Sequence, residues 1–263
     1  MNISIFSKIT NKNTTEKLIK EIFKADPTAK VSILSPRNEI NSFMDVAIGI
    51  NKVNLICDET LYGFGKVRKF LEENLTEIKR KNRSIGWYLQ QYLKLAHCYT
   101  SEKDLLIIDG DTIFSSTFLE KYLKNPYLMR TNEKIAEYSV SSIFQKVSDS
   151  RYSYIANAGY FSPNILKKYI DNIDDWFINT VSKVIKNDSD FSEYQIMASL
   201  LKNEKKIIHE KNIKIFRRFE LIDNVSWDNA LIRYDAITIE QNHKVNMLNK
   251  LIAKYMYKVG YSW

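Results

Sequence analysis

The sequence predicts an α/β fold, with a mixed, mostly parallel sheet flanked by helices. Three observations point to it. Short β-branched runs alternate with segments of helical period through the chain, the pattern of strands joined by crossover helices. One of those runs, in mid-chain, is apolar and ends in Asp109-Gly110-Asp111, as a buried parallel strand leading to a ligand edge would. Glycine and proline number only 7 and 4 in 263 residues, so composition marks no long flexible linker.

Taken in order, Ile3–Ile9 alternates loosely and predicts a first strand. Thr14–Lys24 places Leu18, Ile19, Ile22 and Phe23 at helical spacing, with a threonine to cap it and Asp26-Pro27 to break it. Val31–Leu34 and Val53–Cys57 are the next strands, ending in Ser35-Pro36 and Asp58-Glu59. Leu71–His97 reads as helix in two pieces, separated by Lys79, Arg80, Lys81 and Arg83. Asp104–Ile108 is the apolar strand, and Ser116–Leu123 a short helix. Ser139–Phe144 and Tyr154–Phe161 are rich in β-branched and aromatic residues and read as strands. Helices are expected from Pro163 to Ile170 and over Glu193–Leu201, and late strands at Ile207–Ile208 and Ile213–Phe216. No internal repeat or low-complexity tract appears, so residues 1–245 read as one catalytic domain and 246–263 as an appended amphipathic helix.

Composition narrows the function classes. The chain is 44% hydrophobic and 27% charged, and long enough to bury a core without staples. Its two cysteines, Cys57 and Cys98, lie in apolar surroundings and read as reduced core residues of a cytosolic protein. Two cysteines and three scattered histidines do not make a zinc site. Residues 1–12 carry no apolar signal segment, and no run of about 18 apolar residues could span a bilayer. A net charge of +8 attracts nucleic acid, anionic lipid and nucleotide diphosphates alike.

The strongest signal is Asp109-Gly110-Asp111. Open α/β sheets bind ligands beyond the carboxyl ends of their strands. A glycine lets the backbone turn so that both carboxylates address one centre. Two carboxylates that close repel unless a cation lies between them, and Mg²⁺ or Mn²⁺, hard ions that bind carboxylate and phosphate oxygens together, suit the pair. The same string could be an ordinary solvated turn. It is not the haloacid-dehalogenase pattern Asp-x-Asp-x-Thr, because Thr112 follows Asp111 directly.

The segment before it, Ile85–Ala96, separates on a wheel of about 100° per residue. Tyr88, Leu89, Tyr92, Leu93, Leu95 and Ala96 fill one arc, and Trp87, Gln90, Gln91 and Lys94 the other. An aromatic plane, two amides and a cation suit a sugar nucleotide better than plain solvent, although Trp87 could simply pack on a loop. Arg83 could meet phosphate, but it belongs to a basic run.

An aromatic-x-x-Gln-Gln-x-x-Lys-Leu helix followed by a strand and Asp-x-Asp resembles a family of bacterial glycosyltransferase-like proteins of polysaccharide gene clusters, which look like GT-A fold enzymes. The resemblance covers Ser84 to Phe114, and more weakly Phe191 to Leu201. It implies a GT-A-type, Rossmann-like sheet and metal-dependent transfer from a nucleotide-sugar donor to a growing surface glycan of capsule, lipopolysaccharide or O-antigen type. Carried over, Asp109 and Asp111 hold the metal, with His243 completing its shell. Ser35, Pro36 and Asp58 come near the base and ribose, and Arg83, Trp87, Gln91, Lys94 and Gly110 stand on the donor side. Glu193, in Asp190-Phe-Ser-Glu-Tyr-Gln, faces the acceptor as general base; it could equally be a carboxylate favoured by a helix start. Asn157 and Tyr160, in Asn-Ala-Gly-Tyr-Phe, are candidates for the acceptor pocket, against a core strand with a bulge at Gly159. His209 and His97 read as structural.

At the C-terminus Met247, Leu248, Leu251, Ile252, Tyr255, Met256 and Val259 recur at helical spacing beside Lys250, Lys254 and Lys258. Such a helix either packs its apolar face on the domain or lies on an anionic membrane. The expected partners are therefore a nucleotide sugar, a glycan or glycolipid acceptor and an anionic membrane surface, with no nucleic acid. The expected location is the cytoplasm, peripherally at the inner face of the plasma membrane. Nucleotidyl transfer would use the same carboxylates but want a glycine-rich loop, which Lys8–Thr15 lacks. A non-enzymatic basic binding protein is the other alternative.

Overall fold

The computed structural model describes residues 1–49, 52–80, 83–132, 140–144, 147–148, 150–186, 190–240 and 246–262. The chain begins with β1 (Asn2–Phe6), α1 (Lys12–Ala25), β2 (Lys30–Ser35), α2 (Met44–Gly49) and β3 (Val53–Cys57). Three helices follow, α3 (Phe64–Glu73), α4 (Leu75–Arg80) and α5 (Ile85–Thr100). Then come β4 (Leu105–Asp109), β5 (Thr112–Phe114), α6 (Ser116–Lys124) and β6 (Leu128–Arg130). β7 (Ala158–Phe161), α7 (Pro163–Tyr169), α8 (Ile173–Val184) and α9 (Glu193–Asn203) form the next stretch. β8 (Glu210–Asn212), β9 (Ile215–Phe216), α10 (Trp227–Arg233), β10 (Ala236–Thr238) and α11 (Met247–Lys258) complete it.

The α/β expectation holds. The central sheet has the order β3-β2-β1-β4-β7, its first four strands parallel and β7 antiparallel to β4. The parallel strands are apolar on both faces because both faces are covered. Ile3, Ile5, Leu106 and Ile108 pack with Leu18, Ile19 and Ile22 of α1 and Leu119 of α6. Phe6, Leu105 and Ile107 point the other way, to Tyr88 and Tyr92 of α5 and Phe177 of α8. A smaller sheet, β5-β10-β9, extends from the end of β4 over a third cluster that includes Phe216, Ile237 and Ala253. β6 and β8 pair in parallel.

Several helices start where the sequence supplies a side-chain oxygen to an otherwise unpaired N–H: Ser84 accepts from Trp87 N, Ser115 from Phe118 N and Asn172 from Asp175 N. α1 stops at Asp26, whose Oδ1 accepts from Thr28 N at 2.8 Å in the turn beyond the helix.

Some expected elements are corrected. Of Ser139–Phe144, residues 140–144 form turns, not a strand: the two apolar anchors Val140 and Phe144 are buried across one turn, with Phe144 N donating to Val140 O at 2.8 Å. Tyr154–Phe161 is strand only from Ala158. Ile207–Ile208 is coil; the local strand is Glu210–Asn212, fixed by pairing with β6. The helix α8, with Ile173, Phe177, Val181 and Val184 buried, goes beyond the expected elements.

Candidate active site

Four strand ends define one edge. The register sets Phe6 beside Leu34 and Asp109, and Ser35 beside Cys57, so β1 to β4 all terminate together. This is the carboxyl edge at which open parallel sheets bind ligands.

The Asp-Gly-Asp backbone is tied to three separate segments. Asp109 N donates to Asn157 O at 2.8 Å, Gly110 N to Phe6 O at 2.8 Å, and Ile239 N to Asp111 O at 2.8 Å. Gly110 is required for room, not for a left-handed turn: the positive-φ glycines are Gly63 and Gly260. A Cβ on Gly110 would lie 2.5 Å from Ser7 Oγ and 2.9 Å from Ser7 Cα. The close pass against the end of β1 thus fixes where the two carboxylates emerge.

Asp111 accepts from Thr112 Oγ1 at 3.0 Å. Burial first, and the Asp109 carboxylate second, push its carboxyl up to about 7. Two neighbouring carboxylates in which burial disfavours the second charge are a hard-oxygen donor pair in want of a cation, which fits Mg²⁺ or Mn²⁺. Among the described residues no three His, Cys, Asp or Glu gather into a larger ligand group. His243, the expected third ligand, lies outside the described residues.

The polar arc of α5 does face this pair, although its partners differ from those expected. Gln90 Nε2 donates to Asp109 Oδ1 at 3.2 Å. Lys94, expected against donor phosphate, is 2% exposed and bridges two carboxylates: Nζ lies 2.5 Å from Asp109 Oδ1 and 2.6 Å from Glu193 Oε1. It also lies 4.4 Å from the centre of the Tyr194 ring. Gln91, likewise expected on the donor, is buried behind the site; its Oε1 accepts from Glu193 N at 3.3 Å, and its Nε2 has no partner among the described residues. Glu193 is 4% exposed. Enclosed and paired in this way, it holds Lys94 beside Asp109, and the expected general-base role is a matter for kinetics.

Trp87 and Arg83 occupy the outer end of the same helix face. The Arg83 guanidinium stacks 4.3 Å from the Trp87 ring centre and donates Nε to buried Asp190 at 3.0 Å. Both are half-buried.

At the far side of the edge, Ser35 is buried at the end of β2, and its Oγ has no hydrogen-bond partner among the described residues. Asp58, in the 3₁₀ turn after β3, has an equally unpartnered buried Oδ1. Burial first, then Glu59 beside it, raises its carboxyl to about 6. Two buried polar atoms thus sit at adjacent strand ends, open to a hydrogen bond from a ligand or from water.

The two residues expected at the acceptor lie apart. Asn157 is a structural clamp: at φ 54° it occupies the left-handed region, and Nδ2 donates to Thr112 Oγ1 at 3.1 Å and Thr238 Oγ1 at 3.3 Å. Tyr160 lies toward the opposite end of the sheet, where its hydroxyl donates to Asp104 ahead of β4. Because β7 is antiparallel, Ala158 pairs with Ile108 near the site while Phe161 pairs with Leu105. Gly159 is needed because a Cβ would meet Tyr194 Cδ1 at 2.9 Å.

Residues beyond those expected complete the site. Ser7 packs on Gly110 and shares a 2.7 Å hydrogen bond with Thr15. Arg217 reaches Asn157 Oδ1 at 3.4 Å, Ile155 O at 3.2 Å and Glu240 Oε1 at 3.4 Å. The Tyr194 hydroxyl is buried beside the Lys94 triad, where burial and then the Asp109 and Glu193 carboxylates raise its pKa. Thr112 and Tyr194 neighbour motif residues and were within reach of sequence; Arg217 and Thr238 arrive from distant segments with no local signal. His97 is structural, sharing a 2.9 Å hydrogen bond with Ser4 of β1.

No family model matches the sequence, and no curated protein matches it. Solved structures similar to the chain include the galactosyltransferase LgtC in complex with donor and acceptor sugar analogues, at 13% identity and a TM-score of 0.49 over 99% of this chain and 95% of that one. Mouse xyloside xylosyltransferase 1 is similar at 9% identity and 0.46, over 93% and 99%. The glycosyltransferase GlyE of Streptococcus pneumoniae TIGR4 is similar at 11% and 0.45, over 100% and 64%. Likeness at this level assigns no chemistry.

Proposed function

We propose that this chain is a glycosyltransferase that moves a sugar from a nucleotide-sugar donor to a growing surface glycan, with Mn²⁺ or Mg²⁺ as cofactor. The observation that carries the reading is the pairing of Asp109 and Asp111 at the carboxyl edge with the orphaned Ser35 Oγ and Asp58 Oδ1 at neighbouring strand ends. A nucleoside diphosphate has the matching chemistry: hydroxyls and base edges for the second pair, and a diphosphate for a cation held by the first. The resemblance of Ser84–Phe114 to the polysaccharide-cluster family points to a glycan acceptor of capsule, lipopolysaccharide or O-antigen type. A GT-A-type sheet is part of the same reading.

Asp109 and Asp111 would hold the cation, with His243 the candidate third ligand. When bound, that ion supplies charge neutralisation for the leaving diphosphate. The chain's own residues do the rest. Lys94 and Gln90 fix the Asp109 carboxylate on one oxygen. Glu193 and Gln91 lock Lys94 and the start of α9 to α5. Asp58 and Ser35 hydrogen-bond the nucleoside, and Trp87 with Arg83 forms an aromatic and cationic rim. Transfer from a membrane-borne glycolipid would place α11 at an anionic membrane surface; among the described residues no helix is long and apolar enough to cross one.

Thermal shift against a panel of nucleoside diphosphates and nucleotide sugars, with Mn²⁺ or with chelator, tests the reading. Stabilisation by a diphosphate in Mn²⁺, absent in chelator and in Asp111→Asn, is the expected result. Equal stabilisation in all three conditions sinks it.

A further inference from the structure

α11 presents its apolar side outward. Met247, Leu251, Tyr255 and Val259 follow at four-residue steps, with Leu248 and Ile252 in the next row, and all six are between 47% and 80% exposed. The helix is held instead through buried Ala253 and the partly buried Met256 and Tyr257. At about 100° per residue, Lys254 and Lys258 fall beside the Met247–Leu251 row. A contiguous exposed apolar strip edged by cations is the form of a helix lying in a membrane interface.

The C-terminal end of α11 adjoins a cleft. Arg233, at the end of α10, sits 4.8 Å from the Tyr257 ring centre and donates to Lys258 O at 3.4 Å. From there Arg233 lines a cavity of about 450 Å³ between α6, β8 and α10, together with Lys121, Lys211, Tyr127, Thr117 and Asp235. Three cations face one carboxylate, and Asp235 already accepts from Lys214 N at 2.8 Å.

We propose that this cleft binds the phosphate headgroup of an anionic lipid while the outward face of α11 rests among the acyl chains. Charge decides the occupant. An anionic bilayer satisfies Lys121, Lys211, Arg233 and Lys258 together and covers the apolar strip, while Lys254 already pairs with Asp223 at 3.0 Å. A second copy packed on the same face would cover the strip but bring no anion to the three cations of the cleft. The inference rests on the membrane placement proposed above and not on the transfer chemistry, so it is measured without donor or metal.

The test is co-sedimentation of the full chain with phosphatidylcholine vesicles and with phosphatidylcholine–phosphatidylglycerol vesicles, at low and high salt. Binding to the anionic vesicles alone, lost in high salt, is expected. Each basic side chain near the surface contributes about fivefold, so Lys121→Glu/Lys211→Glu should weaken binding by at least about tenfold. A control of equal charge change on exposed lysines across the central sheet, Lys69→Glu/Lys183→Glu, should have a much smaller effect. Leu251→Glu/Tyr255→Glu should abolish binding, and unchanged melting temperatures certify that both surface variants fold. Equal loss in the lysine control and the cleft variant overturns the cleft. Inorganic phosphate that binds the cleft, with no vesicle binding, makes it a free-phosphate site and overturns the lipid. A concentration-dependent dimer that Leu251→Glu/Tyr255→Glu dissolves, again without vesicle binding, assigns the strip to a second copy instead.

Discussion

Lys94 Nζ lies 2.6 Å from Glu193 Oε1, with the two side chains 3% and 5% exposed. The same ammonium reaches Asp109. Burial opposes the Lys94 charge, but Asp109 and Glu193 together outweigh it and hold the ammonium's pKa above its ordinary value. One cation then faces two carboxylates, and burial pushes the Glu193 carboxyl up despite Lys94. The triad is thus built around Lys94, and removing that charge should do more damage than removing Glu193.

Lys94→Met is expected to lower stability by roughly 3–5 kcal/mol, because two buried carboxylates lose their cation. Lys94→Met/Glu193→Leu should regain part of that loss in urea unfolding without regaining activity. Glu193→Gln, which keeps an oxygen toward Lys94, should reduce kcat by less than about tenfold and leave its pH profile in place. A general base would lose about 10²–10⁴ and flatten the limb it controls; that result would return Glu193 to the acceptor.

Gly110→Ala drives a methyl group into Ser7, at 2.5 Å from Oγ and 2.9 Å from Cα. One of the contacts is backbone, so a rotamer change cannot relieve it. Overpacking of this kind costs about 1–3 kcal/mol, and the displacement falls on Asp109 and Asp111. The variant should melt lower and lose its Mn²⁺-dependent nucleotide shift. Ser7→Gly/Gly110→Ala removes the Oγ and Cβ clashes and should recover part of the melting temperature.

Tyr160→Phe removes only the hydrogen bond to Asp104. A loss of about 1 kcal/mol in unfolding free energy, with kcat/KM unchanged, is expected. Asn157→Ala deletes donors to Thr112 and Thr238 and places alanine at φ 54°. It should lower both stability and kcat/KM, since Asn157 O also holds Asp109 N. If Tyr160→Phe raises KM for an acceptor while stability stays put, Tyr160 belongs to the acceptor site after all.

What sequence could reveal of this site depended on how local its cause is. Asp109 and Asp111 stand out because an apolar strand ends at them. Gln90 and Lys94 stand out because helical period separates them from the core arc. The same periodicity could not say that Lys94 would be buried against Glu193, 99 residues away, instead of facing solvent. The end of the sheet at which Tyr160 sits was hidden for a related reason: alternation assigns a strand's faces but not its direction, and β7 runs antiparallel. Thr238 meets Thr112 across 126 residues, and only the closing of β10 on β5 brings it there. In α11 the period was legible, but not which face the body would claim, because Ala253 and Tyr257 anchor it instead of the larger apolar rows.

His97 offers a pH test separate from the site. Burial lowers its imidazole pKa from 6.5 to about 4. The unfolded chain therefore binds a proton between those values that the folded chain refuses, so the contribution of His97 is present above pH 6.5 and lost as pH falls toward 4. The full loss is roughly 3 kcal/mol at 1.36 kcal/mol per pH unit. Asp58 acts in the opposite sense, since its carboxyl rises from 3.8 to about 6 and its contribution is lost as pH rises through that range. Asp111, raised to about 7, acts in the same sense as Asp58, so the wild-type curve alone does not isolate His97. His97→Gln, which can still bond Ser4, removes the imidazole's contribution. The difference in unfolding free energy between wild type and His97→Gln, measured by urea denaturation from pH 4 to pH 7, should move by roughly 3 kcal/mol in favour of wild type as pH rises. A difference that stays constant across that range would mean that His97 takes up its proton at the same pH in the folded and unfolded chains, so that burial does not exclude it.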